Sequence, residues 1–426
     1  MKNNKLHRVA ILGGVRTPFC RSNTLYQDLS NLDLLSTTLQ GLVDRFDLAG
    51  KPVDEVFAGA VTTHSKDWNL AREAVLSTRL SPLTPATTLM QACGTSLQAA
   101  MILAAKIAAG HIECGIAAGT DSTSDAPIVF KRKFAQRLIK ISKARSVGER
   151  LKLISGIRPG DFMPQPPNPA EPRTGLTMGQ HGELMAKQWN ITRKEQDTLA
   201  VESHHKAVAA YDDGKLDSLI VPCAGVWRDN NLRPDTNVEQ LSKLRTAFDR
   251  SDQGTLTAGN STPLTDGASS VLLANEEWAE NNGIPVLAYL TYSQTAAVDF
   301  TEGEGLLMAP TVAMKQMLKQ ANRSLQDFDI YEIHEAFAAQ VLCTLKAWED
   351  PDYCNNRLGL EKSLGAIDRK KLNPRGSSLA VGHPFAATGA RILNDLADQL
   401  AERGSGSGVI SICTAGGMGV TAILER

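Results

Sequence analysis

Short apolar, strand-like runs alternate with helical patterns over the first 125 or so residues: a strand near 8–12, a helix near 31–45, a strand near 55–60 and a helix near 69–79. This alternation admits few architectures, because neighbouring strands must be reached through helical crossovers, and it predicts α/β layering. Met101 to Ala109 extends an apolar helix that starts at Cys93, Gly110 stops it, and Cys114 to Gly119 reads as the next central strand. A helix apolar on every side is expected to be buried. From roughly 126 to 254 the chain turns to charged helical stretches, a proline-rich run from Pro164 to Pro172 and turns such as Asp212-Asp213-Gly214, which predicts an inserted loop-and-helix domain. The strand-like run from Ser269 to Ala274 reopens the rhythm, which closes on the runs from Gly408 to Cys413 and from Val420 to Leu424. Two similar α/β halves are expected from element order alone, since no close sequence repeat relates them.

Four hundred and twenty-six residues suffice for two or three domains and a large core without disulfide support. The formal net charge of −1 argues against a generic nucleic-acid binder. Seven cysteines form an odd set with no C-x-x-C pair, so neither a disulfide framework nor a zinc finger is expected, and no metal or other cofactor is predicted. Met1 to Arg8 is short and polar and leads directly into Val9-Ala10-Ile11-Leu12, which leaves no room for a signal peptide. No apolar stretch is long and charge-free enough to span a bilayer. A reducing, cytoplasmic location is the expectation, and there unpaired thiols can serve as reagents.

Cys93 sits in Gln91-Ala92-Cys93-Gly94-Thr95-Ser96, where small residues allow a sharp turn and the helix is expected to begin at once. Helix-terminal N–H groups facing its sulfur are expected to lower the thiol pKa. Alone, such a cysteine reads more readily as buried structure than as a nucleophile. His383, in Gly382-His383-Pro384, stands on a rigid turn before a helix around Arg391 to Leu400, a suitable mount for a base matched to a thiol. Cys413-Thr414-Ala415-Gly416-Gly417-Met418-Gly419 ends an apolar strand and turns on glycines, as is needed where backbone N–H groups approach a ligand. A second thiol there can act as an acid. His334-Glu335-Ala336-Phe337 follows the strand-like Ile330 to Ile333 and is expected to start a helix, with His334 as a hydrogen-bond donor to a developing oxyanion. The polar stretch from Thr257 to Ala268 reads by itself as a loop.

Taken together, the Cys93 turn, the Asn260 to Ala268 segment, His-Glu-Ala-Phe, Gly-His-Pro and the Cys413 glycine loop resemble the thiolases, from Val15-Arg16-Thr17-Pro18-Phe19 to the last strand. The resemblance implies a thiolase fold, an α/β architecture of two βαβαβαββ halves in a five-layered α-β-α-β-α arrangement with an inserted loop domain. It places a discontinuous N-terminal domain at 1–125 plus 255–278, the loop domain at 126–254 and the C-terminal domain at 279–426.

The implied activity is that of a 3-ketoacyl-CoA thiolase, an acetyl-CoA C-acyltransferase of fatty-acid β-oxidation. Cys93 would be the nucleophile that carries the acyl group, His383 its base and Cys413 the acid at the enolate carbon. His334, through a held water, and His383 would bind the enolate oxygen, and the N–H groups of Cys93 and Ala415 would form the second oxyanion site. Met178, next to Gly179, Ala258, Thr262 and Phe337 match positions lining the path of coenzyme A, which enters with acyl-CoA as a substrate. Many thiolases carry Asn where this chain has His334. The His-Glu-Ala-Phe form resembles the thiolase (beta) subunits of fatty-acid oxidation trifunctional complexes and points to medium or long acyl chains and a hydratase/dehydrogenase partner. A homo-oligomer, dimer or tetramer, is implied as well.

Lys131 to Arg158 holds ten basic residues and one acidic residue, interleaved with Phe134, Leu138, Ile141, Leu151 and Leu153. A solvated helix face is the ordinary reading, and contact with a partner or an anionic membrane surface the functional one. Rival readings are an acetoacetyl-CoA thiolase working in the condensation direction, a decarboxylating ketosynthase built on Cys93, His334 and His383, and a non-catalytic acyl-CoA-binding subunit. Cys413 separates the thiolase from the ketosynthase, because a nondecarboxylative Claisen step needs a proton donor for the carbanion.

Overall fold

The computed structural model describes residues 6–165 and 167–426. The start of the polar N-terminal stretch, residues 1–5, and Pro166 of the proline-rich run lie outside the described residues. The first half of the fold runs β1 (Val9–Arg16), α1 (Asn31–Arg45), β2 (Glu55–Ala58), α2 (Leu70–Leu76), β3 (Ala86–Thr88), α3 (Thr95–Ala108), β4 (Cys114–Asp121) and, after a long excursion, β5 (Thr265–Asn275). The excursion carries α4 (Arg132–Lys143), α5 (Val147–Ser155), α6 (Met178–Gln188) and α7 (Arg193–Asp212). The second half runs β6 (Ala288–Ala297), α8 (Ala309–Ala321), β7 (Ile330–Ile333), α9 (Ala338–Glu349), α10 (Thr388–Arg403), β8 (Ser407–Thr414) and β9 (Met418–Glu425).

Nine strands of a ten-stranded sheet follow the order β7-β8-β9-β6-β1-β5-β4-β2-β3, and the tenth, the two-residue strand Cys20–Arg21, pairs with the start of β5. On either side of the β6/β1 junction the order repeats: β1-β5-β4-β2-β3 answers β6-β9-β8-β7, and the strand matching β3 is reduced to a single parallel bridge between Tyr331 and Leu372. The halves join where Ala10 pairs with Tyr289 and Ile11 with Ala288. Two βαβαβαββ halves are therefore present, the second with one vestigial strand.

Local sequence explains the main elements. Ser30 and Asp33 make a reciprocal capping box on α1, whose buried Leu34, Leu35, Leu39, Leu42 and Val43 fall on one helical stripe. β5 is buried along all eleven of its residues, as a central strand covered on both faces requires. Leu97, Leu103 and Ile107 of α3 are fully buried, each contributing about 1.5–3 kcal/mol.

Helices α3 and α10 lie back to back in the middle of the molecule. Leu97 and Leu103 of one and Leu393 and Leu396 of the other join Val271, Ile410 and Val420 in a single apolar cluster reaching both half-sheets. A second cluster covers the outer face of the first half with α1 and α2, and a third covers the second half with α8 and α9. The layers run α-β-α-β-α. Where the two central helices begin, Gly389 comes so close to α3 that an added Cβ would sit 2.4 Å from the Leu97 nitrogen. Ser96 bridges them, donating to the Ala386 carbonyl at 2.5 Å and accepting from the Ala390 N–H at 2.8 Å.

The basic segment forms the helix pair α4 and α5. Among its apolar residues Phe134 is buried, edge-on to Phe130 and Phe162 at 5.1 Å each, whereas Leu138 and Leu151 are exposed. No helix among the described residues is long and apolar enough to cross a membrane.

Candidate active site

Four segments distant in sequence meet at the N-terminal ends of α3 and α10. Cys93 lies in a 3-10 turn, Ala92–Gly94, and the α-helix begins only at Thr95. Ala92 has φ +46°, a left-handed conformation that costs a non-glycine residue ~1–3 kcal/mol and makes the sharp reversal that presents the thiol. Alanine at this position carries no local signal of that strain.

His383 Nε2 is 3.0 Å from Cys93 Sγ. The imidazole is fixed from behind: Nδ1 is hydrogen-bonded to Thr388 Oγ1 at 2.5 Å, and its backbone N–H donates to Thr265 Oγ1 at 2.7 Å. Gly382, at φ +103°, lets the turn pass Thr265, where an added Cβ would meet Cγ2 at 2.5 Å. Asp121 holds the following turn, accepting from the Ala386 N–H at 2.8 Å and, through its other oxygen, from the N–H groups of Val61 and Thr62.

The expected lowering of the Cys93 pKa is corrected by the structure. Burial pushes the thiol up to about 12; the N–H groups of Ala415 and of Cys93 itself oppose the rise without cancelling it, and the Asp121 charge adds to it. Burial, then the Arg391 charge, drives His383 down to about 3. The resting pair is thus a neutral thiol hydrogen-bonded to a neutral imidazole. The N–H groups of Ala415 and Cys93 thus both face the Cys93 sulfur.

His334 stands on the loop between β7 and α9. The helix begins at Ala338, with Phe337 as its N-cap, and not at the histidine as its sequence suggested. The strand geometry overrides the helical pattern: the His334 N–H still donates to Ser411 of β8 at 2.9 Å, which keeps the chain extended one residue past β7. The imidazole is fully buried, its ring centroid 4.2 Å from that of His383, and the side-chain ligand atoms of Cys93, His334 and His383 lie within 4.8 Å of one another. A metal ion in that space would occupy nucleophile and base together. Glu335 points away and is tied to Ser203, Asn373 and the Leu379 N–H.

Cys413 is the penultimate residue of β8, buried beside Cys93, and burial raises its thiol pKa well above the ordinary value. The hairpin to β9 turns on Ala415, Gly416 and Gly417, and the Gly416 N–H is anchored to Glu171 of the excursion at 2.9 Å.

A cleft of about 680 Å³ opens beside the histidine loops, with Ala258 and Thr262 on its wall. Thr262 joins it to the site by donating its hydroxyl to the Ser378 carbonyl at 2.8 Å, and Leu264 pairs with the His383 backbone. Phe337 stands behind the wall, edge-on at 5.8 Å to Phe248, which does line the cleft. Met178, in the first turn of α6, packs on the apolar cluster that holds Phe337, and Gly179 abuts the Phe248 ring. Arg21, His204, Arg233 and Phe248 also line the cleft and carry no local motif that would have marked them.

Comparison with known proteins agrees with this geometry. The family model "Thiolase, N-terminal domain" matches residues 9–277 and "Thiolase, C-terminal domain" matches 284–426. The chain is 40% identical over 429 residues to a 3-ketoacyl-CoA thiolase of Shewanella woodyi, covering 99% of this chain and 98% of the relative. It is 41% identical over 424 residues to a 3-ketoacyl-CoA thiolase of Pectobacterium atrosepticum, covering 98% and 96%. Among solved structures, a Bacillus anthracis acetyl-CoA acetyltransferase (TM-score 0.82, 30% identity, 99% of this chain and 100% of that one) and human mitochondrial 3-ketoacyl-CoA thiolase (TM-score 0.82, 27% identity, 99% of each) share the fold. The chain belongs to the thiolase family of acyltransferases.

Proposed function

We propose that the protein is a 3-ketoacyl-CoA thiolase that cleaves 3-ketoacyl-CoA to acetyl-CoA and an acyl-CoA two carbons shorter. The observation that carries the proposal is the 3.0 Å contact between His383 Nε2 and Cys93 Sγ in a buried pocket shared with a second cysteine, Cys413.

In the first half-reaction the Cys93 proton passes to His383 Nε2 as the sulfur attacks the 3-keto carbon. The N–H groups of Cys93 and Ala415 receive the oxyanion. Collapse breaks the C2–C3 bond and leaves the acyl group on Cys93 as a thioester. The departing enolate, its oxygen held near His334 and His383, takes a proton at C2 from Cys413. The imidazolium proton then restores Cys413. In the second half-reaction His383 accepts the proton of the incoming CoA thiol, CoA attacks the thioester, and Cys93 leaves and regains that proton. All proton transfers are carried by side chains, so the cycle runs without a resident cofactor.

The cleft containing Ala258 and Thr262 suits the pantetheine arm, and Arg21 and Arg233 at its wall suit CoA phosphates. The His-Glu-Ala-Phe sequence supports medium or long acyl chains. Exposed Leu138, Ile139, Leu151 and Ile154 among the basic residues of α4 and α5 support contact with an anionic membrane surface or a hydratase/dehydrogenase subunit. A cytoplasmic homo-oligomer completes the reading. Steady-state thiolysis of 3-ketoacyl-CoAs of graded length tests it: kcat/KM rising from the four-carbon to longer substrates is expected, and activity confined to acetoacetyl-CoA would overturn the chain-length assignment.

A further inference from the structure

We infer that Ser378 and Arg391 are positioning residues that set the ring tautomer of His334, so that an Nε2–H, rather than a lone pair, faces the reacting oxygen. The inference deepens the proposed thiolase function and rests on it for the identity of that oxygen.

The argument follows the hydrogens. Arg391 Nη2 reaches Ser378 Oγ and Ser377 Oγ, each at 3.1 Å, and a guanidinium has donors only, so Ser378 Oγ accepts there. Ser378 Oγ is also 2.9 Å from His334 Nδ1. If the imidazole proton sat on Nδ1, Arg391 and His334 would both donate to one oxygen, and the serine's own hydrogen would have no acceptor among the described residues. Ser378 is fully buried, where an unpaired hydroxyl hydrogen is costly. With Ser378 donating to Nδ1, each group is used once. The neutral imidazole then carries its proton on Nε2.

That nitrogen is buried and has no partner among the described residues. An orphaned donor in a closed site marks a place for an acceptor that arrives with the ligand. Its ring lies 4.2 Å from the His383 ring, within the Cys93 grouping, so the acceptor is an oxygen of the reacting group. The burial that holds His334 neutral, aided by His383 and Arg391, keeps this a stationary N–H donor that does not give up its proton.

The test combines selective 15N-histidine NMR of the full chain, assigned with His334→Asn, with kinetics of Ser378→Ala and Ser378→Thr. The wild type is expected to show the His334 proton on Nε2, and Ser378→Ala a mixture of tautomers. Ser378→Ala is expected to lower kcat by about 10- to 100-fold, part of the loss seen for a deleted oxyanion donor, with KM for CoA within about threefold. Ser378→Thr, which keeps the hydroxyl, is expected to recover most of kcat, a rescue that loss of packing alone would not give. A wild-type His334 proton on Nδ1, or unchanged kcat in Ser378→Ala, would overturn the inference. The NMR needs no turnover, so a correct tautomer in a protein that forms no acyl-enzyme would support this assignment while removing the thiolase function.

Discussion

His383 Nε2 and Cys93 Sγ lie 3.0 Å apart in a site where burial drives both groups toward their neutral forms, the thiol up to about 12 and the imidazole down to about 3. The nucleophile is therefore made during attack and is not stored as a thiolate–imidazolium pair. Below a raised thiol pKa the thiolate fraction grows with pH. The inactivation rate by iodoacetamide should accordingly climb about tenfold per pH unit up to pH ~9 without levelling. A plateau near neutral pH would indicate a preformed ion pair.

Ser96 ties the two central helices together at the ends that carry Cys93 and His383. Ser96→Ala removes a buried donor and acceptor and is expected to destabilise the fold by ~1–3 kcal/mol. The looser pairing of nucleophile and base should lower kcat about tenfold. Chemical denaturation and thiolysis kinetics on the same preparation measure both, and unchanged kcat would show that the helix contact does not position the pair.

Cys413 is proposed to handle the proton at C2 of acetyl-CoA, whereas Cys93 handles the acyl group. Cys413→Ser should therefore slow exchange of the acetyl-CoA methyl protons in D2O by at least ~100-fold while leaving acyl transfer to Cys93 detectable. Proton NMR follows the exchange. Exchange at the wild-type rate would remove Cys413 from that role.

The exposed basic and apolar residues of α4 and α5 make a prediction about surfaces. Reversing Lys131, Arg132 and Lys133 to Glu should abolish co-sedimentation with anionic phospholipid vesicles and leave thiolysis of soluble substrates unchanged. Co-sedimentation that survives the reversal would take membrane contact away from this segment.

Much of the fold was legible because its signals are local. Helix α1 falls on the residues its apolar spacing marks, and the Cys93, His334, His383 and Cys413 motifs are short strings that stand out wherever they fold. What was hidden depends on residues brought together across the chain. His383 and Cys93 are 290 positions apart, as Ser96 and Ala386 are, and Thr265 reaches the His383 N–H across 118. Nothing near Thr265, Asp121 or Ser378 announces such partners. Two expectations gave way to tertiary context: pairing with β8 holds His334 extended where a helix was anticipated, and burial outweighs the N–H groups that were expected to acidify Cys93.

The central claim is that Cys93 carries the acyl group, and intact-mass analysis after mixing with 3-ketoacyl-CoAs of graded length tests it most directly. The wild type should gain the mass of an acyl group two carbons shorter than the substrate chain, and Cys93→Ser should gain no such thioester. No adduct on the wild type, or the same adduct on Cys93→Ser, would contradict the account.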